Sequence, residues 1–171
     1  MTLRLLLAAA VPLLFAQTIK YDVPAGWTSR PATSSMRVAE FALPKVAGDA
    51  EDGQLTLYYF GGQGGSVQAN LDRWIGQMTQ PDGRASRDVA TTGTMKTTSG
   101  LSVALVDVSG TYVAEVTPGS KERFNKPGFR LRAAVVETPA GPYFVKLTGP
   151  AKTLAKWHDS YLAFVKSLRV N

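Results

Sequence analysis

The chain contains no cysteine. That excludes a disulfide staple and also a lipid attached to a cleavage-site cysteine, so the fold must be held by packing. Histidine occurs once, as His158. A metal site would have to rely on carboxylates, and a Ser–His pair on this one imidazole. No Gly-x-Ser-x-Gly elbow accompanies it, and it reads as a structural or surface histidine on the last helix. The glycine-rich stretch 61–65 is not closed by Gly-Lys-Ser/Thr, and Val67 stands where a third glycine would fall. It is therefore neither a Walker loop nor a dinucleotide fingerprint, and serves as a tight turn from a strand into a helix. No two carboxylates stand at a fixed separation that would support glycoside hydrolysis. Linkers, internal repeats and low-complexity tracts are missing too.

What remains is 171 residues, 44% hydrophobic and 19% charged, the composition of an ordinary globular domain. Arg4 precedes an apolar run over residues 5–15, followed by Ala16-Gln17. A positive start, an apolar core and a small residue at the cut predict a secretory signal peptide over residues 1–16. The run is shorter than the roughly 20 residues a membrane-spanning helix needs, so no transmembrane anchor is expected in a mature chain of residues 17–171, read as a single domain. Export without disulfides fits a bacterial envelope, periplasmic or extracellular. The formal charge of +6 favours anionic lipid, polysaccharide or an acidic partner; no nucleic-acid motif is present.

The patterning predicts strands at 18–23, 36–43, 55–60, 90–98, 101–113, 129–137 and 143–147. Helices are predicted at 67–78 and from Pro150 onward. Ser66 stands at the N-cap of the first helix. Val67, Leu71, Trp74, Ile75 and Met78 share one of its faces, and Leu154, Trp157, Tyr161, Leu162, Val165 and Leu168 form a stripe on the last. Short turns make the sheet mainly antiparallel. The expected architecture is α+β: a three-layer α/β/α sandwich with about six strands and a covering helix on each face.

Four groups of residues are candidates for chemistry. Asp107 falls in register with Leu101, Val103 and Leu105, so it needs a cationic partner or a raised pKa; Glu40 is a milder case. Asp49, Glu51 and Asp52 lack EF-hand spacing and read as a solvated acidic turn. Lys121, Arg123, Lys126, Arg130 and Arg132, with Phe124 and Phe129 among them, are a candidate binding surface for a polyanion or a membrane. Arg37, Asn70, Arg73 and Gln77 either line a small pocket with Trp27 and Trp74 or lock helix to sheet through charge-assisted bonds.

Gly26-Trp27, Ser35-Met36-Arg37 with Ala39 and Phe41, and Gly64-Gly65 with Asn70, Arg73-Trp74 and Gln77 also carry a likeness. The chain resembles the PsbP/Mog-like family of small α/β/α sandwiches, and within it an uncharacterised exported bacterial branch. The resemblance implies an accessory or binding role rather than catalysis, and no cofactor. The expectation is an exported, non-catalytic binding or accessory protein of the envelope. A small-ligand or anionic-surface binding protein is the alternative, and a hydrolase the third reading.

Overall fold

The computed structural model describes residues 18–171; the expected signal peptide lies outside the described residues. In chain order the elements are β1 (Ile19–Lys20), β2 (Thr28–Arg30), β3 (Arg37–Leu43), β4 (Gly53–Tyr59) and α1 (Val67–Ile75). Then follow β5 (Met78–Thr79), α2 (Ser86–Val89), β6 (Thr91–Lys96), β7 (Ser102–Tyr112) and β8 (Lys126–Val136). The chain ends with β9 (Tyr143–Pro150), α3 (Ala151–Lys156), α4 (His158–Ser167) and β10 (Arg169–Val170). Eight strands make one antiparallel sheet in the order β2-β3-β4-β9-β8-β7-β5, with β6 also paired to β7; β1 and β10 form a separate two-stranded pair.

The three-layer α/β/α sandwich of about six strands is thereby corrected. The sheet has eight strands, and the four helices run only four to ten residues. Three local causes account for the difference. β2 is a polar, fully exposed edge strand without apolar alternation to reveal it. Met78 sits at a helical stripe position, yet the chain leaves the helix at Gly76 and Met78 pairs with Tyr112; both conformations bury its side chain in the same core. The last helix breaks at Trp157 (φ −94°, ψ 15°), whose indole is held by its Nε1–H donating to Pro44 O at 2.9 Å.

Alternation along the strands sorts the side chains into two cores. Phe41, Leu55, Leu57, Ala134, Val136, Val145 and Leu147 face α3 and α4, where Leu154, Tyr161, Phe164 and Val165 meet them. Val106, Val108, Leu131, Ala133, Val135 and Phe144 face α1, through Leu71, Trp74 and Ile75. Helix α1 packs on β7 and β8 and reaches Phe144 at the start of β9 through Trp74, so the same face of β3, β4 and the rest of β9 lies beyond it. That half carries Glu40, Gln54, Thr56, Tyr58, Lys146 and Thr148.

The turn into α1 is tightly fixed. Ser66 Oγ accepts from Ala69 N at 3.2 Å, and buried Asn70 donates to the carbonyls of Gly64 (2.7 Å) and Ser66 (2.9 Å). Gly64 has φ +142°, and a Cβ there would lie 2.6 Å from Phe144 Cζ. Gly64→Ala is therefore expected to destabilise the fold by about 1–3 kcal/mol through overpacking and backbone strain. Gly93→Ala, in open space, should change stability by less than about 0.5 kcal/mol. Urea unfolding of both variants checks the contrast; equal effects would contradict it.

A cationic site on the open half of the sheet

Lys146 lies on β9, opposite Thr56 of β4 and Ala133 of β8, on the face shared with α1. Its Nζ donates to Gln77 Oε1 at 2.6 Å and to Tyr112 Oη at 3.0 Å, and stands 5.2 Å from the centre of the Tyr112 ring. Among the described residues, no carboxylate forms an ion pair with it. Burial first, then the charges of Arg73 and Arg37, push its amine down to about 8 from an ordinary 10.5. Removing an ammonium from water costs free energy that a carboxylate usually offsets. Here two neutral acceptors and an aromatic face do so only in part.

Arg37 and Arg73 complete the cluster. A bulge in β3 between Arg37 and Ala39 sets Arg37 opposite Tyr58 while Ala39 faces Leu57. It thereby turns Arg37 onto the α1 face, away from the face predicted by strict alternation. Its guanidinium lies 5.6 Å from the centre of the Tyr58 ring and donates to Glu40 Oε2 at 3.0 Å. Burial works to raise the Glu40 carboxyl. Hydrogen bonds from Thr33 N and Oγ1 and the Arg37 charge outweigh it and hold the carboxyl below its usual range. Arg73, exposed in the last turn of α1, donates to Asn70 Oδ1 at 2.6 Å and has no ion-pair partner among the described residues. The cluster thus holds three cations against one carboxylate, already shared by Thr33 and Arg37.

Of the residues grouped from the sequence as pocket or lock, Arg37, Asn70, Arg73 and Gln77 do come together here. Asn70 ties the glycine turn to Arg73 within α1, and the bond that reaches the sheet is at Gln77, which accepts from Lys146. Trp74 lies beneath the helix, edge-on to Phe144 at 6.3 Å. Trp27 is on the opposite face of the sheet, against Phe41 and Phe164. Lys146, Tyr58 and Tyr112 were not singled out from the sequence. A signal existed in YFVKL, where one lysine interrupts an otherwise apolar strand of a buried sheet.

The basic run of residues 121–132 does not gather on one surface. Arg123 pairs with Glu115 at 3.5 Å, and Lys126 with Glu51 at 2.7 Å, beside the rings of Phe124 and Phe129. Lys121 is exposed in the loop. Arg130 and Arg132 point to the other face and enclose Asp107: Arg130 donates to both carboxylate oxygens at 2.6 Å. Arg132 Nε lies 3.0 Å away but off the donor axis, making an ion pair without a hydrogen bond. Arg132 also stacks 4.4 Å over Tyr161, so of the alternatives its register left open, Asp107 has cationic partners. His158 is exposed at the start of α4. The acidic turn is dispersed: Asp49 Oδ2 accepts from Thr153 N and Oγ1, Glu51 holds Lys126, and Asp52 accepts from Lys45 N. Among the described residues, no three His, Cys, Asp or Glu side chains could hold a metal ion together, and no helix is long and apolar enough to cross a membrane.

No protein-family model matches the chain, and no curated protein sequence matches it. Among solved structures it is similar to the solution structure of cyanobacterial PsbP (CyanoP) from Synechocystis sp. PCC 6803. The identity is 9%, over 96% of this chain and 99% of that chain, with a TM-score of 0.50. It is also similar to the crystal structure of a protein of unknown function, PA94 from Pseudomonas aeruginosa. There the identity is 13%, over 92% of this chain and 86% of that one, with a TM-score of 0.48. At 9% identity the likeness to CyanoP concerns the fold alone: the chain has a PsbP-like fold.

The Lys146 amine gives the site a pH signature. Between pH 8 and 10.5 the unfolded chain keeps a proton that the folded chain has released, so stability rises with pH across that window. Burial pushes the Tyr112 hydroxyl up to about 12 from 10.0, and its opposite effect, which sets in at about pH 9, stays below about 0.5 kcal/mol at pH 10. From pH 8 to 10 the unfolding free energy of the wild type should therefore rise by about 2 kcal/mol relative to Lys146→Met. Urea titrations of the two proteins check this; a constant difference would contradict it.

Proposed function

We propose that this chain is an exported, non-catalytic binding or accessory domain of the bacterial envelope. Its binding surface is the open half of the sheet, and what it recognises there carries negative charge. The observation that supports this reading is Lys146, which stands with Arg37 and Arg73 and lacks a carboxylate of its own. A ligand oxyanion would offset the desolvation of Lys146 and quiet the mutual repulsion of the three cations. Tyr58, Thr56 and Gln77 add hydrogen-bonding groups around them. The exported bacterial branch of the PsbP/Mog-like family suggested by Trp27, Arg37, Asn70, Arg73 and Trp74 belongs to the same reading. So does the charge-then-apolar layout of residues 1–16.

Two measurements test it. Inorganic phosphate, titrated against the labelled protein, should move the Gln77 side-chain amide and the Arg73 Nε–H resonance saturably. Arg73→Gln with Lys146→Gln should abolish the movement; wild-type resonances that stay in place would remove the anion reading. Independently, the protein recovered from the envelope fraction of an expressing bacterium should have an intact mass beginning at Gln17. A mass that includes Met1 would remove the export reading.

A further inference from the structure

Few large apolar side chains are exposed. Among the described residues they are Val23, Met36, Val38 and Val116, and two of these four flank Arg37 directly. Met36 is 51% exposed and Val38 39% exposed. Their position follows from the β3 bulge. Ala39 pairs with Leu57 and faces the core, Arg37 pairs with Tyr58 on the opposite face, and Val38 is the extra residue between them. Extra residues of this kind bend the strand and re-aim side chains at sheet margins. Met36 is held at the same margin, its carbonyl accepting from Tyr59 N at 3.0 Å. The rim of the cationic site is thus a Met-Arg-Val triplet whose apolar members meet solvent and whose arginine faces Lys146.

We propose that this rim docks on a phospholipid surface. The phosphodiester of an anionic headgroup sits among Arg37, Arg73 and Lys146, while Met36 and Val38 enter the interfacial layer beside it. This deepens the anion reading above and rests on it, naming the anion's source. A free phosphate offers the same oxygens but nothing for two exposed apolar side chains to bury against. A bilayer offers both, and cations near an anionic leaflet are attracted additionally by its surface potential. Arg37 suits the junction, with its stem between apolar neighbours and its head at the level of the phosphate. Glu40, the one carboxylate at the site, is occupied by Thr33 N, Thr33 Oγ1 and Arg37 and leaves Arg73 and Lys146 uncompensated. The basic loop, the other surface where cations and an exposed valine meet, has Arg123 and Lys126 already paired with Glu115 and Glu51.

The test compares co-sedimentation of the full chain with vesicles of phosphatidylcholine alone and of phosphatidylcholine mixed with phosphatidylglycerol. The apolar run over residues 5–15 can adsorb to both, so the readout is the excess binding to the anionic vesicles. That excess should fall about tenfold with Arg73→Glu. It should fall similarly with Met36→Ser plus Val38→Ser, and vanish as salt rises from about 0.05 M to about 0.5 M. The double variant, which leaves the charge unchanged, should keep the wild-type melting temperature and the phosphate-induced shift at Gln77. Excess binding that is absent, or that ignores Met36→Ser plus Val38→Ser, overturns the lipid proposal. If the phosphate shift persists in that case, the anion reading stands without it. If the shift is absent as well, both fall.

Discussion

The constraint on which the rest of this structure depends is that β8 is dry on both faces. Leu131, Ala133 and Val135 point one way, Ala134 and Val136 the other, and all five are essentially unexposed. A strand of this kind needs cover on both sides. On one side α3 and α4 supply it, with Ile19 and Val170 of the small β1–β10 pair alongside. On the other the cover is α1, nine residues long and therefore about 13 Å by 10 Å. Seven strands side by side span roughly 29 Å at 4.8 Å each. The helix can dry β7 and β8, and it cannot reach β3 and β4.

The amino acids follow that boundary. Beneath α1 the inward positions are Val106, Val108, Leu131, Ala133 and Val135; beyond it they become Thr56, Lys146, Thr148, Gln54 and Glu40. Lys146 sits at the border, half under the end of the helix, where Gln77 and Tyr112 reach its amine. That position explains its double character. It is buried enough for its charge to be disfavoured, yet it opens on a polar surface where a charged group can approach. The site is a consequence of a short helix on a wide sheet.

The legible parts of the sequence were those where one physical signal decides the conformation. Long apolar or alternating runs located β3, β4, β7, β8 and β9 to within a few residues, and Ser66 marked the start of α1. That Asp107 needs a partner or a raised pKa could be read from its register. The illegible parts were those where two conformations satisfy the same pattern. Met78 is buried as a helical residue or as a strand residue, so periodicity could not end α1 at Ile75. Trp157 fits the apolar stripe while breaking the helix that carries it. In β3 a single bulge exchanged the faces on which Arg37 and Ala39 lie, and no composition rule announces a bulge. Grouping Arg37 with Arg73 and Gln77 came from residue likeness. What organises them, Lys146, is marked in the sequence only as the lysine of YFVKL, and its place among them comes from strand pairing.

Two clusters of cations in the same molecule show why one reads as scaffold and the other as site. On the α4 face, Arg130 and Arg132 share Asp107. The pairing with Arg130 is bidentate at 2.6 Å, and Arg132 is further covered by the Tyr161 ring. Both cations there touch the one carboxylate, so removing Asp107 would strand them in a dry environment. On the α1 face, Lys146 is held by two neutral groups in the company of two more cations. An apolar residue of similar length would fill that place without desolvating a charge, and packing alone would favour it. The structure thus contains one group of cations held directly on a carboxylate and one whose lysine has none of its own. It is the second that the proposed anion would complete.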